Sequence, residues 1–315
     1  MKLAALIETY IGFKHSMGMR LRAQATILKA YGRAMGDVDI SEVQPKAVLA
    51  FISGHGPITA HWASKFSTLR GFYRFVVSRD YAATTPLPTN PPKLPPPFQP
   101  YIYSVDELKR LLAATDSLQL PYNSPLQALT FRNLLLLLYG TGMRIGEALS
   151  LTLSDVDLVD RLITVHDAKF FKSRWVPLGC KLTQELLAYA ARRQQLALPA
   201  GECSAFFATR TGHFLRYPRV HHLFHRVRQV AGVRRESGAR YQPRIHDIRH
   251  TAAVHRLIAW YRGGLDVQRL LPQLATYMGH LDLRSTQHYL TLTPELLSEA
   301  CLRFEQYAFG EIRHD

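Results

Sequence analysis

A proline-rich segment after the first quarter of the chain limits what this sequence can fold into. Eight of the fifteen residues from Pro86 to Pro100 are proline. Proline fixes the backbone angle φ and has no N–H to donate, so this segment cannot lie inside a helix. The 315 residues are enough for two cores. We therefore expect a semi-rigid, extended linker over residues 85–100 between two domains, residues 1–84 and residues 101–315.

Residues 1–84 have the apolar spacing of helices. Apolar residues recur every three or four positions in four segments, which are residues 3–17, 21–35, 45–54 and 61–81. The last segment interleaves aromatic residues with basic ones, among them Lys65, Arg70 and Arg74. Such a helix can bury its aromatic face while its basic face contacts phosphates. The alternative is an ordinary amphipathic helix whose charges are solvated.

The second domain begins with helices. Ser104, followed three residues later by Glu107, has the pattern of a capping box and predicts a helix start. The apolar run Leu134–Leu138 predicts a buried helix. A glycine-containing turn ends it, and the next helix opens at Met143 or Arg144.

A β-hairpin is predicted within this second domain. Ile163, Val165 and Val176 favour strands, and the residues between them are polar. We expect the turn around Lys169–Lys172. Helical patterns return from Thr183 to the end. The predicted fold is mainly α, with a helical first domain and a small β-sheet or hairpin in a mixed α/β second domain.

The chain is strongly basic in both predicted domains. Its formal net charge is +15 at pH 7, and its pI is about 9.9. Residues 1–100 hold 12 Lys and Arg against 5 Asp and Glu, and the remainder holds 27 against 19. A basic excess on both sides of a linker suits a clamp around a polyanion. The alternative is that the excess of basic residues lies on the surface and serves only solubility.

Several other classes of protein do not fit the sequence. The N-terminal apolar run stops at Glu8, and Leu134–Leu138 is too short to span a bilayer. The three cysteines have no CxxC spacing, so we expect neither a disulfide framework nor a zinc site, and a reducing cytoplasmic setting. A metal site would have to use three histidines that lack a nearby Cys or carboxylate, namely His221, His222 and His225.

Six polar residues in the second predicted domain carry the chemistry that we predict. They are Arg144, Lys169, His246, Arg249, His280 and Tyr289. A phosphoryl-transfer transition state is stabilised mainly by positioned charge, and an arginine fork can hold two non-bridging oxygens at once. Tyrosine is a covalent nucleophile once its proton is removed. This set predicts attack on a DNA phosphodiester without a metal or another cofactor.

The local sequence around the first two residues supports these roles. Arg144 follows a glycine turn at a helix start, where free N–H groups and the helix dipole favour a phosphate. Glu147 lies one turn later and can orient the arginine; a surface Arg–Glu pair is the alternative. Lys169 lies near the hairpin turn and can protonate a leaving alkoxide, with Lys172 as the rival for this role.

The remaining four residues form two pairs. His246 and Arg249 are three positions apart, so on a helix they lie on one face and can donate to one phosphate. Asp247 between them is expected to be a structural cap or partner. His280 precedes Tyr289 by nine residues, and a Thr-Pro helix start follows Tyr289.

We therefore expect Tyr289 on or beside a short element rather than in the middle of a core. The alternative is a tyrosine packed inside, like its neighbour Leu290. Tyr277 and Tyr307 are rivals by residue type, but neither follows a glycine-histidine turn in the same way.

The order and spacing of these residues resemble the tyrosine recombinase family, also called the phage integrase family. The resemblance rests on four segments, residues 141–151, 165–178, 246–253 and 277–290. It implies that Arg144 and Arg249 clamp the phosphate and that Tyr289 is the nucleophile. It also matches Lys169 to the hairpin lysine, and His246 and His280 to the two histidines. The segment between Arg249 and His280 is longer than in the family members that we would compare.

The resemblance implies a reaction and its partners. Double-stranded DNA with a specific recombination site would be cut and rejoined through a 3′-phosphotyrosyl link. Four protomers, identical or mixed, would exchange strands through a Holliday junction, with or without accessory recombination proteins. Residues 1–84 would be the DNA-clamping domain, and the subgroup most similar is carried by transposons and integrative elements. The alternatives are DNA relaxation of the type IB topoisomerase kind and a catalytically silent DNA-binding regulator.

Two further predictions concern surfaces. Residues 216–244 contain eight arginines and one acid, Glu236, so we expect them to face phosphates. With the hairpin and the first domain, the predicted DNA contacts are Lys65, Arg70, Arg74, Lys172, Arg174, Arg219, Arg226, Arg228 and Arg244. After Tyr289, an apolar stripe at helical spacing predicts a helix that packs on its own domain or, as the family implies, on a neighbouring protomer.

Overall fold

The computed structural model describes residues 1–19, 21–56, 58–94, 98–119, 127–168, 172–236, 241–280, 283–292 and 294–309. The chain divides into two compact units, Met1–Phe98 and Gln99–Asp315. The described residues between the last helix of the first unit and the first helix of the second form no helix or strand. Each unit has its own hydrophobic core. Within the described residues, no helix has the length and apolar character that crossing a bilayer requires.

The first unit is helical, as its apolar spacing predicts. Its helices are α1 (Leu3–Ser16), α2 (Arg22–Met35), α3 (Pro45–Ser53) and α4 (Ala60–Ser78). The core lies among these four helices, where the hydroxyls of Tyr31 and Tyr73 are 2.6 Å apart and buried.

Helix α4 is amphipathic. Its aromatic residues Trp62, Phe66, Phe72 and Tyr73 are buried, whereas Arg70 and Arg74 are exposed. Lys65 differs from the expectation of a free basic residue. Its ammonium donates to the Phe51 carbonyl at 2.7 Å and lies 4.5 Å from the centre of the Phe51 ring, so it fastens α4 to α3.

The second unit is mostly helical with one small sheet, which confirms the predicted fold class. Its helices are α5 (Val105–Ala114), α6 (Gln127–Thr141), α7 (Ile145–Leu149), α8 (Cys180–Gln194), α9 (Tyr217–Val230), α10 (Asp247–Arg262), α11 (Val267–Met278), α12 (Arg284–Gln287) and α13 (Pro294–Phe309). Short 3-10 turns occur at Thr115–Leu118 and His288–Thr291.

Two predicted features of this unit are confirmed. The Ser104 hydroxyl accepts from the Glu107 N–H at 3.1 Å, while the Glu107 carboxylate accepts from the Ser104 N–H at 2.9 Å, so the capping box is present. The leucine run lies in α6, whose inward residues are buried in the core.

The sheet is the predicted hairpin with one short strand added. Strands β1 (Val156–Asp157), β2 (Leu162–Ala168) and β3 (Lys172–Pro177) pair antiparallel in the order β1-β2-β3. Ile163 lies opposite Val176, and both are fully buried. The residues of the turn, including Lys169, lie outside the described part of the chain.

The prediction of helices from Thr183 to the end is wrong over residues 195–216. This segment forms no helix, and its backbone makes isolated bridges such as Thr152–Ala205. Pro199 cannot continue a helix. Arg193, at the end of α8, fixes the segment instead, since its buried guanidinium donates to the carbonyls of Pro199 and Ala205 at 2.8 and 3.0 Å.

The capping box gives a test of stability. We expect Ser104→Ala to lower the free energy of unfolding by about 1 kcal/mol, because the Glu107 N–H loses its acceptor. Ser104→Thr keeps a hydroxyl at the cap and should lose less. Urea unfolding followed by circular dichroism measures both variants. Equal losses for the alanine and threonine variants would contradict the capping role.

Candidate active site

The C-terminal end of α11 is the centre of the site. Gly279 caps this helix with φ 70° and ψ 41°, in the left-handed region that favours glycine. The N–H groups of Gly279 and His280 return to the carbonyls of Thr276 and Ala275 at 2.9 and 2.8 Å. The following carbonyls have no partner within the helix and carry the negative end of its dipole.

Three successive carbonyls at this end each accept a hydrogen bond from a different arginine. The pairs are Arg174 Nε to Tyr277 O (3.3 Å), Arg249 Nη2 to Met278 O (2.8 Å) and Arg144 Nη2 to Gly279 O (2.8 Å). The arginines come from β3, from α10 and from the residue before α7. One helix end therefore brings together three cations that are far apart in the sequence.

Glu147 links two of these arginines. Its carboxylate accepts from Arg144 Nη1 at 2.8 Å and from Arg174 Nη2 and Nη1 at 2.7 and 3.1 Å. It also accepts from the Arg144 N–H at 2.9 Å, which caps α7. Burial raises the pKa of Glu147, but the bonds from Arg174 and Arg144 outweigh it and lower the pKa to about 2. The expected contact between Arg144 and Glu147 is present.

Arg249 is the most buried of the three arginines, with 3% of its surface exposed. Its Nη1 donates to the Gly142 carbonyl at 2.6 Å, so it also holds the turn between α6 and α7. Burial, followed by the nearby charge of Arg144, lowers the pKa of Arg249 to about 10. Arg249 therefore remains a cation at neutral pH, fixed in one orientation.

Tyr289 lies beside these cations. Its ring centre is 5.9 Å from that of His280 and 5.6 Å from that of His250, and the charges of Arg249 and Arg144 act on its phenol. Burial raises the pKa of Tyr289, whereas Arg249 and Arg144 oppose this rise by stabilising a phenolate. The site therefore holds a phenol next to the groups that favour its anion.

The expectation that Tyr289 would avoid the core is only half right. It does lie on a short element, the 3-10 turn His288–Thr291. However, only 3% of its surface is exposed, and it belongs to a core cluster with residues of α10 and α11. The turn packs against α10, which places the ring inside the domain.

Three histidines surround the tyrosine and the arginines. His246 is the residue before α10 rather than part of its first turn, and its ring is 5.2 Å from that of His250. His280 Nδ1 is 2.7 Å from the Thr286 hydroxyl. Burial and then the charge of Arg249 lower the pKa of His246 and lower that of His280 to about 4. Burial and His246 lower the pKa of His250 to about 4.

Asp247 is fully buried and has the structural role that was expected. Its carboxylate accepts from the Arg244 N–H at 2.9 Å and from Arg244 Nη2 at 2.8 Å. These bonds fix the chain just before α10, next to His246 and Arg249. Arg244, predicted as a DNA contact, is therefore engaged inside its own unit.

Two predicted DNA contacts, unlike Arg244, are largely closed to solvent. Arg174 binds Glu147, as described above, and Arg228 has 7% of its surface exposed. Arg228 lies on the inner face of α9 and donates to the Gln242 side chain at 3.1 Å. Arg219 is exposed and Arg226 half-buried. Lys172 begins β3, and its rival Lys169 falls outside the described residues.

Sequence reasoning missed four residues of the site, which are Arg174 as an internal partner, His250, Thr286 and the cap residue Gly279. His250 could have been found, since it lies four positions after His246 and thus on the same helical face. The others depend on contacts between distant segments. Among the described residues, no three His, Cys, Asp or Glu side chains converge in a way that could hold a metal ion.

Removing the charge of Glu147 should destabilise the second unit. In Glu147→Gln, two guanidiniums keep their positions but lose the carboxylate between them, so we expect a loss of about 2–4 kcal/mol in the free energy of unfolding. Glu185→Gln is the control, because the Arg132–Glu185 pair is partly exposed and should contribute about 0–1 kcal/mol. Urea unfolding measures both; similar losses would contradict a buried linking role for Glu147.

The histidines predict a pH dependence of stability. Their pKa values are lower in the folded protein than the ordinary value near 6.5. The unfolded chain therefore binds protons first as pH falls, and the free energy of unfolding should decrease from about pH 6.5 towards pH 4. Thermal unfolding at pH 7, 6 and 5 measures the decrease. His250→Gln should reduce the slope and exposed His221→Gln should not; an unchanged slope for His250→Gln would refute the assignment.

The sequence matches known proteins over most of its length. A profile described as the phage integrase family matches residues 103–295. Integrase/recombinase y4rB of Sinorhizobium fredii is 32% identical over 302 residues, which cover 95% of this chain and 96% of that protein. Tyrosine recombinase XerC of Bacillus subtilis is 30% identical over 250 residues, which cover 78% and 75% of the two chains.

Solved structures share the fold. The integrase of transposon Tn1549, in complex with transposon right end DNA, superposes with a TM-score of 0.70 and 15% identity over 98% of this chain and 100% of that chain. A lambda integrase tetramer bound to a Holliday junction gives 0.64 and 19% identity over 92% and 77%. These similarities concern the fold alone. With the profile match over residues 103–295, the sequence relatives show that this chain belongs to the phage integrase family, the tyrosine recombinases, which cleave and rejoin DNA.

Proposed function

We propose that this protein is a site-specific recombinase in which Tyr289 attacks the scissile phosphate of a double-stranded DNA site. The bond from phosphorus to the 5′ oxygen breaks as the bond to the tyrosine oxygen forms. The products are a 3′-phosphotyrosyl link and a free 5′-hydroxyl. The observation that carries this proposal is the place of Tyr289, with its ring 5.9 Å from that of His280 and its phenol beside the charges of Arg249 and Arg144.

The arginines would supply the charge that the transition state needs. Each guanidinium has five N–H donors, and both Arg144 and Arg249 use only part of theirs on backbone carbonyls and Glu147. The remaining N–H groups can donate hydrogen bonds to the non-bridging oxygens of a phosphate. Because helix α11 holds both forks in place, little reorganisation is needed when charge develops on these oxygens.

The histidines and the hairpin lysine would form hydrogen bonds to the phosphate or transfer protons. Neutral histidines can accept or donate a hydrogen bond at the phosphate, and the lowered pKa values of His246 and His280 favour the neutral form. Lys169 would protonate the leaving 5′ oxygen, with Lys172 as the alternative donor. This assignment rests on the family resemblance and on the place of Lys169 between β2 and β3.

Strand exchange would complete the reaction. The phosphotyrosyl link keeps the energy of the broken phosphodiester, so a 5′-hydroxyl from a partner strand can attack it and restore DNA without ATP. We propose four protomers around two duplexes and a Holliday-junction intermediate. Lambda integrase has been solved as a tetramer on such a junction and shares this fold, which supports the proposal.

Two parts of the chain would serve this assembly. Residues 1–84 would clamp the DNA, since α4 exposes Arg70 and Arg74 on a strongly basic chain. Helix α13 buries Leu296 against its own unit and exposes Leu297 and Leu302, two apolar side chains that a neighbouring protomer would cover.

A nicked suicide substrate tests the nucleophile. The wild-type protein should form a covalent protein–DNA complex that survives denaturing electrophoresis, and Tyr289→Phe should form none, because phenylalanine has no oxygen to attack with. Tyr277→Phe is the matched control and should still form the complex. The assignment is wrong if Tyr289→Phe traps DNA as well as the wild type does. A regulator of the same fold would trap none with either protein.

A further inference from the structure

Arg174 is a largely buried cation on the inner face of the sheet. It lies opposite Val165 of β2 and next to Trp175, which points outward with 73% of its surface exposed. The Arg174 side chain is only 11% exposed. An arginine is seldom buried without partners that compensate its charge, so its surroundings indicate its role.

The partners of Arg174 are parts of the phosphate-binding arrangement. Two of its nitrogens hold both carboxylate oxygens of Glu147, at 2.7 and 3.1 Å, and its Nε donates to the Tyr277 carbonyl at 3.3 Å. Glu147 in turn binds Arg144. The side chain is therefore bonded to α7 and to the end of α11 at once, while its own backbone belongs to β3.

Gly279 provides the space for this guanidinium. A Cβ on Gly279 would lie 2.7 Å from both Cζ and Nη1 of Arg174, closer than real contacts allow. The arginine thus rests against the backbone of the residue whose carbonyl accepts from Arg144. The absence of a side chain at position 279 is what lets the two arginines approach the same helix end.

We propose that Arg174 is a positioning residue for DNA cleavage, which keeps Arg144 oriented towards the scissile phosphate and leaves a net positive charge beside it. Glu147 paired with Arg144 alone would form an ion pair with no net charge. Shared between Arg144 and Arg174, the same carboxylate orients Arg144 and leaves the group of three with one net positive charge. This proposal rests on the proposed function, in which Arg144 binds the phosphate.

This role differs from a DNA contact. Three N–H donors of Arg174 are used inside the chain, and the side chain is nearly closed to solvent. Loss of Arg174 should therefore change the rate of cleavage more than the affinity for DNA. The effect should also depend on the negative charge of the phosphate, because Arg174 acts through the charge of Arg144.

Paired substrates test this dependence. One nicked substrate carries the normal scissile phosphate, and the other carries a methylphosphonate, in which a methyl group replaces a charged oxygen. We expect Arg174→Met to cleave the phosphate about 100-fold more slowly than the wild type, as for the loss of one transition-state donor. On the methylphosphonate, which has less charge to neutralise, we expect Arg174→Met to cleave only about 10-fold more slowly than the wild type. DNA affinity should stay within about twofold of the wild type.

Two variants serve as controls. Arg193→Met removes another buried arginine that is bonded to backbone carbonyls of the same unit, and it should leave the ratio of the two cleavage rates unchanged. Arg174→Lys keeps a positive charge next to Glu147. Its ratio of the two cleavage rates should therefore lie close to that of the wild type. If Arg174→Met does not fold, Gly279→Ala displaces the guanidinium in a full-length chain, and the same change in ratio is expected.

Each outcome is decisive. An equal loss on both substrates would overturn the proposal and leave Arg174 with a purely structural role. A large fall in DNA affinity at an unchanged cleavage rate would make it a DNA contact. Failure of the proposed function looks different, because the wild-type protein would then form no Tyr289-dependent covalent complex with either substrate, and both proposals would fall together.

Discussion

The bonds between three arginines and three successive carbonyls at the end of α11 are the constraint on which the rest of the site depends. A helix end leaves carbonyls without partners, and in a buried position these must be satisfied by other groups. Here Arg144, Arg174 and Arg249 satisfy them. Because each arginine belongs to a different segment, the same bonds close long loops and fix α7, β3 and α10 around one point.

The charge balance of this arrangement explains the behaviour of its neighbours. Three guanidiniums and one carboxylate leave an excess of positive charge in a largely buried region. Burial and this excess together lower the pKa values of His246 and His280, whereas the excess alone opposes the rise in the pKa of Tyr289 that burial causes. An anion bound here would lower the electrostatic free energy of the whole group. The unbound site therefore has an excess of positive charge, which a bound anion would balance.

The features that sequence reasoning found are those with local causes. The Ser104 cap, the leucine-rich helix α6, the β2–β3 hairpin and the helix start at Arg144 are each specified within a few residues. The roles of distant residues were harder to predict. Arg174 was assigned to DNA because its partners Glu147 and Tyr277 are 27 and 103 positions away. Arg228 was misassigned although helical spacing places it with Phe224 and Val227.

The segment between Arg249 and His280 consists of the rest of α10, a turn of residues 263–266 and α11. The turn after α10 contains Gly263 and Gly264, the latter with φ 69°, and α11 then runs without a break to Gly279. A helix turns by about 100° per residue, so one residue inserted inside α11 would point its last carbonyls away from all three arginines. Length added before Asp266 leaves their directions unchanged. A change in the length of the turn would therefore leave these three bonds possible, whereas a change of register within α11 would not.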